Sequence, residues 1–201
     1  METRPIVIAP ILLDNTVLSN FALVGRSDLL WKLWGNEICT TQAVKREYKI
    51  GSDAGVVPPS AWDTLAQVIL SDDEQQFAAD LSLRLGQGER TCLAVAHLRN
   101  GLLVTDDRNA RVLARRLGDV VTGTIGILVR LVRDEHLTQG AADELLGAMI
   151  EAGFRSPVRR LPRRCKTTAI AELLYCRQSR TVSARATPAA YSTGWAGAAS
   201  P

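Results

Sequence analysis

The sequence predicts an α/β domain of three layers over residues 1–155, a short parallel sheet flanked by helices, followed by a basic C-terminal extension over 156–201. Three observations lead there. Short apolar runs without polar alternation recur along the chain, as in strands covered on both faces. Segments with helical spacing separate those runs, the order that produces crossover connections and parallel strands. Beyond Phe154 the composition changes to Arg, Ala, Ser, Thr and Pro. With 201 residues, 46% of them hydrophobic, the chain can bury a core without disulfides, and disorder over its whole length is excluded.

The elements follow in order. Residues 6–13 are β-rich, but Pro10 lacks an N–H and so confines a central strand to 11–13 or forces a bulge. Val17, Leu18, Phe21, Ala22 and Val24 have helical spacing, which gives a helix over 15–24 closed by Gly25. A short second helix follows over 28–33, and Ile38-Cys39-Thr40-Thr41 reads as a strand. The next helix is expected over 42–50, with Gly51 as its cap. Gly, Ser, Asp and the Pro58-Pro59 pair make 51–60 a loop, and 61–70 is ambiguous between helix and strand. Asp72, Asp73 and Glu74 open a helix expected to reach Leu85, their charges set at the positive end of its dipole. Gly86-Gln87-Gly88 breaks the chain before a helix over 89–99. A strand over 102–105, a helix over 108–117, a short strand at 120–121 and helices over about 125–132 and 138–152 complete the domain. In the extension, 166–178 could form one helix, and disorder is expected over 179–201.

The net charge of +3 conceals a division. Residues 1–154 hold 15 basic and 20 acidic side chains, whereas 155–201 hold 9 basic ones and a single acid, Glu172. The extension is therefore either an arm that grips phosphates or an unpatterned tail, and its weak periodicity favours the tail. Cys39, Cys92, Cys165 and Cys176 have neither a CxxC pair nor metal-type spacing. The apolar run over 6–13 is too short for a membrane span, and no signal-type cleavage site follows it. A reduced cytoplasmic protein with free thiols is expected.

Acids mark where chemistry would sit. In an open parallel sheet ligands bind beyond the carboxyl ends of the strands. Asp14 directly follows the first strand, Asp106 and Asp107 follow the 102–105 strand, Glu89 opens a helix behind a glycine turn, and Glu47 lies on the helix after the second strand. Carboxylates crowded at one edge repel one another unless a cation joins them, so the cluster points to a divalent metal. Taken singly, each has a plainer reading: Asp14 and Asp107 as helix N-caps, Glu89 as a helix-start acid, Glu47 as a solvated side chain. Thr16, close to Asp14, could assist a metal through its hydroxyl. Arg108, Arg111, Arg115 and Arg116 share the helix after Asp107 and either hold phosphates or simply face solvent.

The strings carry a family resemblance. Leu12-Leu13-Asp14-Asn15-Thr16-Val17-Leu18-Ser19-Asn20-Phe21 resembles the first motif of PIN-domain nucleases. Gly86-Gln87-Gly88-Glu89-Arg90-Thr91 resembles their Gly-x-Gly-Glu helix start, and Val104-Thr105-Asp106-Asp107-Arg108 their late strand-and-acid motif. Val121-Thr122-Gly123-Thr124-Ile125-Gly126 and Ile150-Glu151-Ala152-Gly153-Phe154 are similar to the DUF3368 branch, which is related to VapC-type toxins. The resemblance covers about residues 11–155. It implies a PIN-like fold and a Mg²⁺- or Mn²⁺-dependent endoribonuclease, commonly the toxin of a toxin–antitoxin pair, with an RNA substrate and a small antitoxin as partner. It matches Asp14 to the first acid, Glu89 to the third and Asp107 to the fourth, with Asp106 as the adjacent substitute. Glu47 matches the second acid by place alone, and Thr16 and Asn20 match supporting polar positions.

Other readings remain. A catalytically inactive PIN-fold module would bind nucleic acid without cutting it. A phosphotransfer enzyme is suggested by Asp14-Asn15-Thr16-Val17, but this string lacks the second acid of the haloacid dehalogenase motif. His97 and His136 show no partner pattern. Trp31, Trp34 and Trp62 suit core or partner contacts better than base stacking, and the apolar content of 17–24 and 29–34 suits either core packing or a homodimer or antitoxin surface.

Overall fold

A computed structural model describes residues 9–162 with the exception of Ser60. The expectations for 166–178 and 179–201, and Cys165 and Cys176, lie outside the described residues. Five strands form one parallel sheet: β1 (Ile11–Leu13), β2 (Ile38–Thr41), β3 (Ala66–Val68), β4 (Leu102–Val104) and β5 (Val120–Thr122). Their spatial order is β3-β2-β1-β4-β5. Each strand pairs in parallel with its neighbour, Ile11 lying opposite both Ile38 and Leu102. The helices are α1 (Asn15–Leu23), α2 (Asp28–Trp34), α3 (Gln42–Asp53), α4 (Asp72–Asp80), α5 (Gln87–Leu98), α6 (Arg108–Arg116), α7 (Thr124–Arg133) and α8 (Gln139–Glu151), with a 3₁₀ turn at Gly35–Glu37. This is the three-layer α/β architecture expected from the sequence.

Burial explains the arrangement. The central strands β1 and β4 consist only of buried aliphatic residues, while the edge strand β3 is largely exposed. Pro10 sits just outside β1, where its missing N–H costs nothing, and its carbonyl accepts the Leu102 N–H at 2.9 Å. Helix α5 lies against β1, β2 and β4 and carries Cys92 to Ala96 into the core, so its N-terminus is held at the carboxyl edge of the sheet.

Several local expectations change. Helix α3 continues through Gly51 to Asp53, and the turn comes at Gly55, whose φ of +71° suits glycine. The ambiguous segment resolves into a turn and β3, anchored by buried Trp62, whose Nε1 donates to the Leu18 carbonyl at 3.1 Å. Helix α4 stops at Asp80 rather than Leu85. Leu81, Leu83 and Leu85 alternate with polar residues, an extended period, and Leu81 already has ψ of 152°. Helix α5 begins at Gln87, which makes Gly86 its N-cap. Trp34 is buried beneath the Arg130 guanidinium, 5.7 Å from its ring, so Trp34 and Trp62 are core residues. Cys39 and Cys92 are free and buried, and burial pushes the Cys39 thiol up to about 11. His97 does have a partner: its Nδ1 lies 3.0 Å from Asp119 Oδ1, and its ring stacks on Phe77. Asp119 precedes β5, so this pair sits at the amino edge, away from the acids. Past α8 the chain still packs, with Leu161 buried and its N–H donated to Asp143 Oδ1 at 2.7 Å.

Candidate metal centre

The carboxyl ends of β1 and β4 lie side by side, and Asp14 follows β1 as Asp106 and Asp107 follow β4. The Asp14 N–H donates to the Val104 carbonyl at 3.0 Å, which extends the ladder by one residue and fixes the start of its side chain. That side chain is 1% exposed. Its Oδ2 accepts the hydroxyls of Thr16 at 2.9 Å and Thr105 at 2.8 Å. The same two hydroxyls accept the backbone N–H groups of Asp106 and Asp107 respectively. Asp14 Oδ1, by contrast, is shielded from solvent and has no hydrogen-bond partner. Although Asp14 is the N-cap residue of α1, its side chain makes no capping bond. An acceptor buried without a donor is costly, and a bound cation would satisfy it.

Three further carboxylates press on this point. Burial raises Asp14 above the ordinary carboxylate range, with the charge of Glu47 adding to it. Glu89 rises to about 7, first through burial and then through the charges of Asp14, Asp107 and Glu47, against a lowering hydrogen bond from the Gly86 N–H. Asp14, Glu47, Glu89 and Asp107, spread over 94 positions of sequence, therefore occupy one electrostatic neighbourhood. Three of them are engaged with helix starts. Glu47 accepts the Gly88 N–H at 2.8 Å, Asp107 accepts the Ala110 N–H at 2.7 Å as the N-cap of α6, and Glu89 bonds back to Gly86 within the first turn of α5. As they stand, no three His, Cys, Asp or Glu side chains among the described residues are arranged to hold a metal ion. Glu47, Asp107 and Glu89 each lean on the nearest N–H donor instead of on one another, as mutually repelling carboxylates do. The donor set is nevertheless all oxygen and includes one bare buried atom, which suits a hard divalent cation.

Glycine permits this packing. A Cβ at Gly88 would lie 2.5 Å from Glu47 Oε2, so the carboxylate reaches α5 only across a residue without a side chain. A Cβ at Gly123 would meet Asp106 Oδ1 at 2.5 Å and the Thr105 carbonyl oxygen at 2.8 Å.

Asp106 is occupied differently from its neighbour. Its Oδ1 accepts the Thr124 N–H at 2.9 Å, and its Oδ2 accepts the Thr124 hydroxyl at 2.5 Å and Asn20 Nδ2 at 3.1 Å. Asn20 also donates to Thr124 Oγ1 at 3.1 Å. Asp106 and Asn20 thus tie β4, α1 and the start of α7 together, and Asn20 acts on Asp106 rather than on Asp14. Arg111 turns inward and donates from Nη1 to the Thr105 carbonyl at 2.9 Å, while Arg108, Arg115 and Arg116 are exposed. Thr105 and Thr124 were present in the motif strings but had no role assigned from sequence. Their hydroxyls reach residues 91 and 18 positions away, a relation that spacing does not reveal.

No curated protein matches the chain. Residues 10–168 match DUF3368, a PIN domain. A fold of this class is of the nuclease type, whose members bind nucleic acid and generally use divalent metals. Since the match spans most of its length and the sheet has the expected architecture, the chain belongs to the PIN-domain family in its DUF3368 branch.

Proposed function

We propose that the chain is a divalent-metal-dependent endoribonuclease that cleaves RNA phosphodiester bonds. The unpartnered Asp14 Oδ1, set amid Glu47, Glu89 and Asp107, carries this reading. Asp14 would ligate through that oxygen, its orientation held by Thr16 and Thr105, with Glu89 and Asp107 as further ligands and Glu47 at the rim. Bound there, Mg²⁺ or Mn²⁺ would activate a water for attack on the phosphodiester and offset charge on the phosphate. Without a cation, burial and the charges of Asp14, Asp107 and Glu47 raise the Glu89 carboxyl group to about 7, and a bound divalent ion would hold it ionised as a ligand. Because the acids repel the RNA backbone, cationic groups must hold it, and the exposed Arg108 and Arg115 lie on the helix that Asp107 caps. Asp106, with both oxygens engaged, positions this edge rather than ligating.

The resemblance to VapC-type toxins supports a role as the toxin of a toxin–antitoxin pair, held in check by a small antitoxin. Expression should then arrest growth, and the product of the adjacent reading frame should relieve the arrest.

Cleavage of single-stranded RNA by purified protein tests the chemistry. It should require Mg²⁺ or Mn²⁺ and disappear with EDTA or in Asp14→Asn; cleavage that survives either would overturn the reading. An inactive RNA-binding module is the second reading, favoured by the engagement of Glu47, Glu89 and Asp107 with backbone donors. RNA binding without cleavage at any concentration of either metal would support it.

A further inference from the structure

Beside the acids, on the β3 side of the sheet, a cleft of about 280 Å³ opens between α4 and α5. Leu70, Ala78 and Ala79 give it apolar walls, while Gln75, Gln87 and Arg90 bring polar groups. Gln87, Arg90 and Thr91 share the α4-facing side of the first turn of α5, and the Thr91 hydroxyl meets that of Thr41, at the carboxyl end of β2, at 2.8 Å. Leu70 lies two residues beyond β3, which places the cleft at the same carboxyl edge as Asp14. The arginines of α6 lie across the acids from it, on the side of β4 and β5.

Arg90 is the unusual member. Its Nε is shielded from solvent without a hydrogen-bond partner, and its guanidinium forms no ion pair among the described residues. The other arginine near α4, Arg99, is by contrast fully engaged, with Nε and Nη2 on the two oxygens of Glu74. The Gln87 side chain likewise has no partner among the described residues. Gln75 donates to the Leu70 carbonyl and keeps its own amide oxygen free. An unpaired planar cation, two amides and apolar walls make a poor structural corner but a suitable receptor for a flat, polar-edged ring. The volume is below the 300–1,000 Å³ or so usual for drug-sized ligands, which fits one ring system rather than a larger molecule.

We propose that this cleft holds the nucleobase adjacent to the cleaved phosphate, and that Arg90 gives it a preference for guanine. This rests on the nuclease reading above. Guanidinium offers donors only, and guanine presents the O6 and N7 acceptors together, the edge that arginine pairs with in two parallel bonds. The apolar walls cover the ring faces, and Gln87 and the free oxygen of Gln75 complete the rim. The RNA strand then crosses the carboxyl edge of the sheet, its backbone on α6, its scissile phosphate at Asp14 and one base between α4 and α5.

Nucleotide titration of the ¹⁵N-labelled full chain in EDTA tests this without any cleavage. Guanosine monophosphate should shift the amides of Ala79, Gln87 and Arg90 and bind more tightly than the adenosine, cytidine and uridine monophosphates. Arg90→Ala should weaken that binding tenfold or more, and Ala79→Trp, which fills the cleft from an exposed position, should abolish it with the rest of the spectrum unchanged. Equal shifts from inorganic phosphate, shifts confined to α6, or wild-type binding by Arg90→Ala would overturn the proposal. The two readings fail separately: RNA cleavage with no guanosine binding at these amides removes only the subsite, whereas guanosine binding there without any metal-dependent cleavage removes only the nuclease.

Discussion

At the residue scale, the site holds more negative charge than the fold alone would choose. Glu89 has a carboxyl group at about 7 against an ordinary value of 4.5, so between those values the folded chain binds a proton that the unfolded chain has released. The stabilisation from that proton is complete below about 4.5 and lost as pH rises through about 7. In EDTA, stability should therefore fall over that interval, and Glu89→Gln should remove the fall. After allowance for solvent screening, the variant should be more stable than the native chain at pH 8 by about 1–2 kcal/mol, read from urea midpoints. A variant no more stable than the native chain would mean that burial and the neighbouring acids together do not raise Glu89. Asp106 should behave oppositely. Its carboxylate satisfies the Thr124 N–H, the Thr124 hydroxyl and Asn20 Nδ2, so Asp106→Ala leaves buried donors bare and should cost about 2–4 kcal/mol. Two adjacent aspartates thus separate by measurement: loss of Asp107 should abolish cleavage at the cost of one helix cap, about 1 kcal/mol, and loss of Asp106 should cost more stability than that.

Among the elements, the pair α4 and α5 frames both the acids and the cleft, and one ion pair clamps it. Glu74 closes a capping box with Ser71 and accepts Arg99 Nε at 2.6 Å and Nη2 at 2.8 Å. The Arg99 bonds hold its carboxyl group below the ordinary value, so the clamp is at full strength above about 4.5 and is lost as pH falls through the lowered value. Glu74→Ala should cost about 2 kcal/mol at pH 7, less than for a fully buried pair because the Arg99 side chain is 35% exposed. The cost should vanish at low pH, as thermal unfolding at several pH values would reveal. The start of α4 was legible in the sequence because Asp72, Asp73 and Glu74 form a local signal. Its end was not, because Leu81, Leu83 and Leu85 continue the apolar content while changing the period. β3 stayed ambiguous for a related reason: an exposed edge strand of three residues carries no apolar run. The acids could be found because parallel strands deliver their following residues to one edge. Asn20 on Asp106, or the idle guanidinium of Arg90, depends on neighbours brought in by tertiary packing, and no spacing rule announces them.

For the whole molecule, the division of charge is less simple than a domain and a tail. Of the nine basic side chains after Phe154, six lie between Arg155 and Lys166, where the family match continues and, as far as Leu161, the described chain still packs. Only Arg177, Arg180 and Arg185 lie beyond residue 168, together with the acid Glu172. If RNA is held by the folded domain, deleting 169–201 should leave the salt dependence of RNA affinity unchanged. Replacing Arg108 and Arg115 together by alanine should make that slope shallower by about 1.4, since each lost phosphate contact on a single strand contributes about 0.7. Fluorescence anisotropy of a labelled RNA at several salt concentrations, in EDTA to prevent cutting, measures both. A slope that falls on deletion and stays constant in the arginine double variant would move the phosphate grip from α6 to the extension. The strand would then need a different path to the acids, one that does not run from α6 across Asp14 to the α4–α5 cleft.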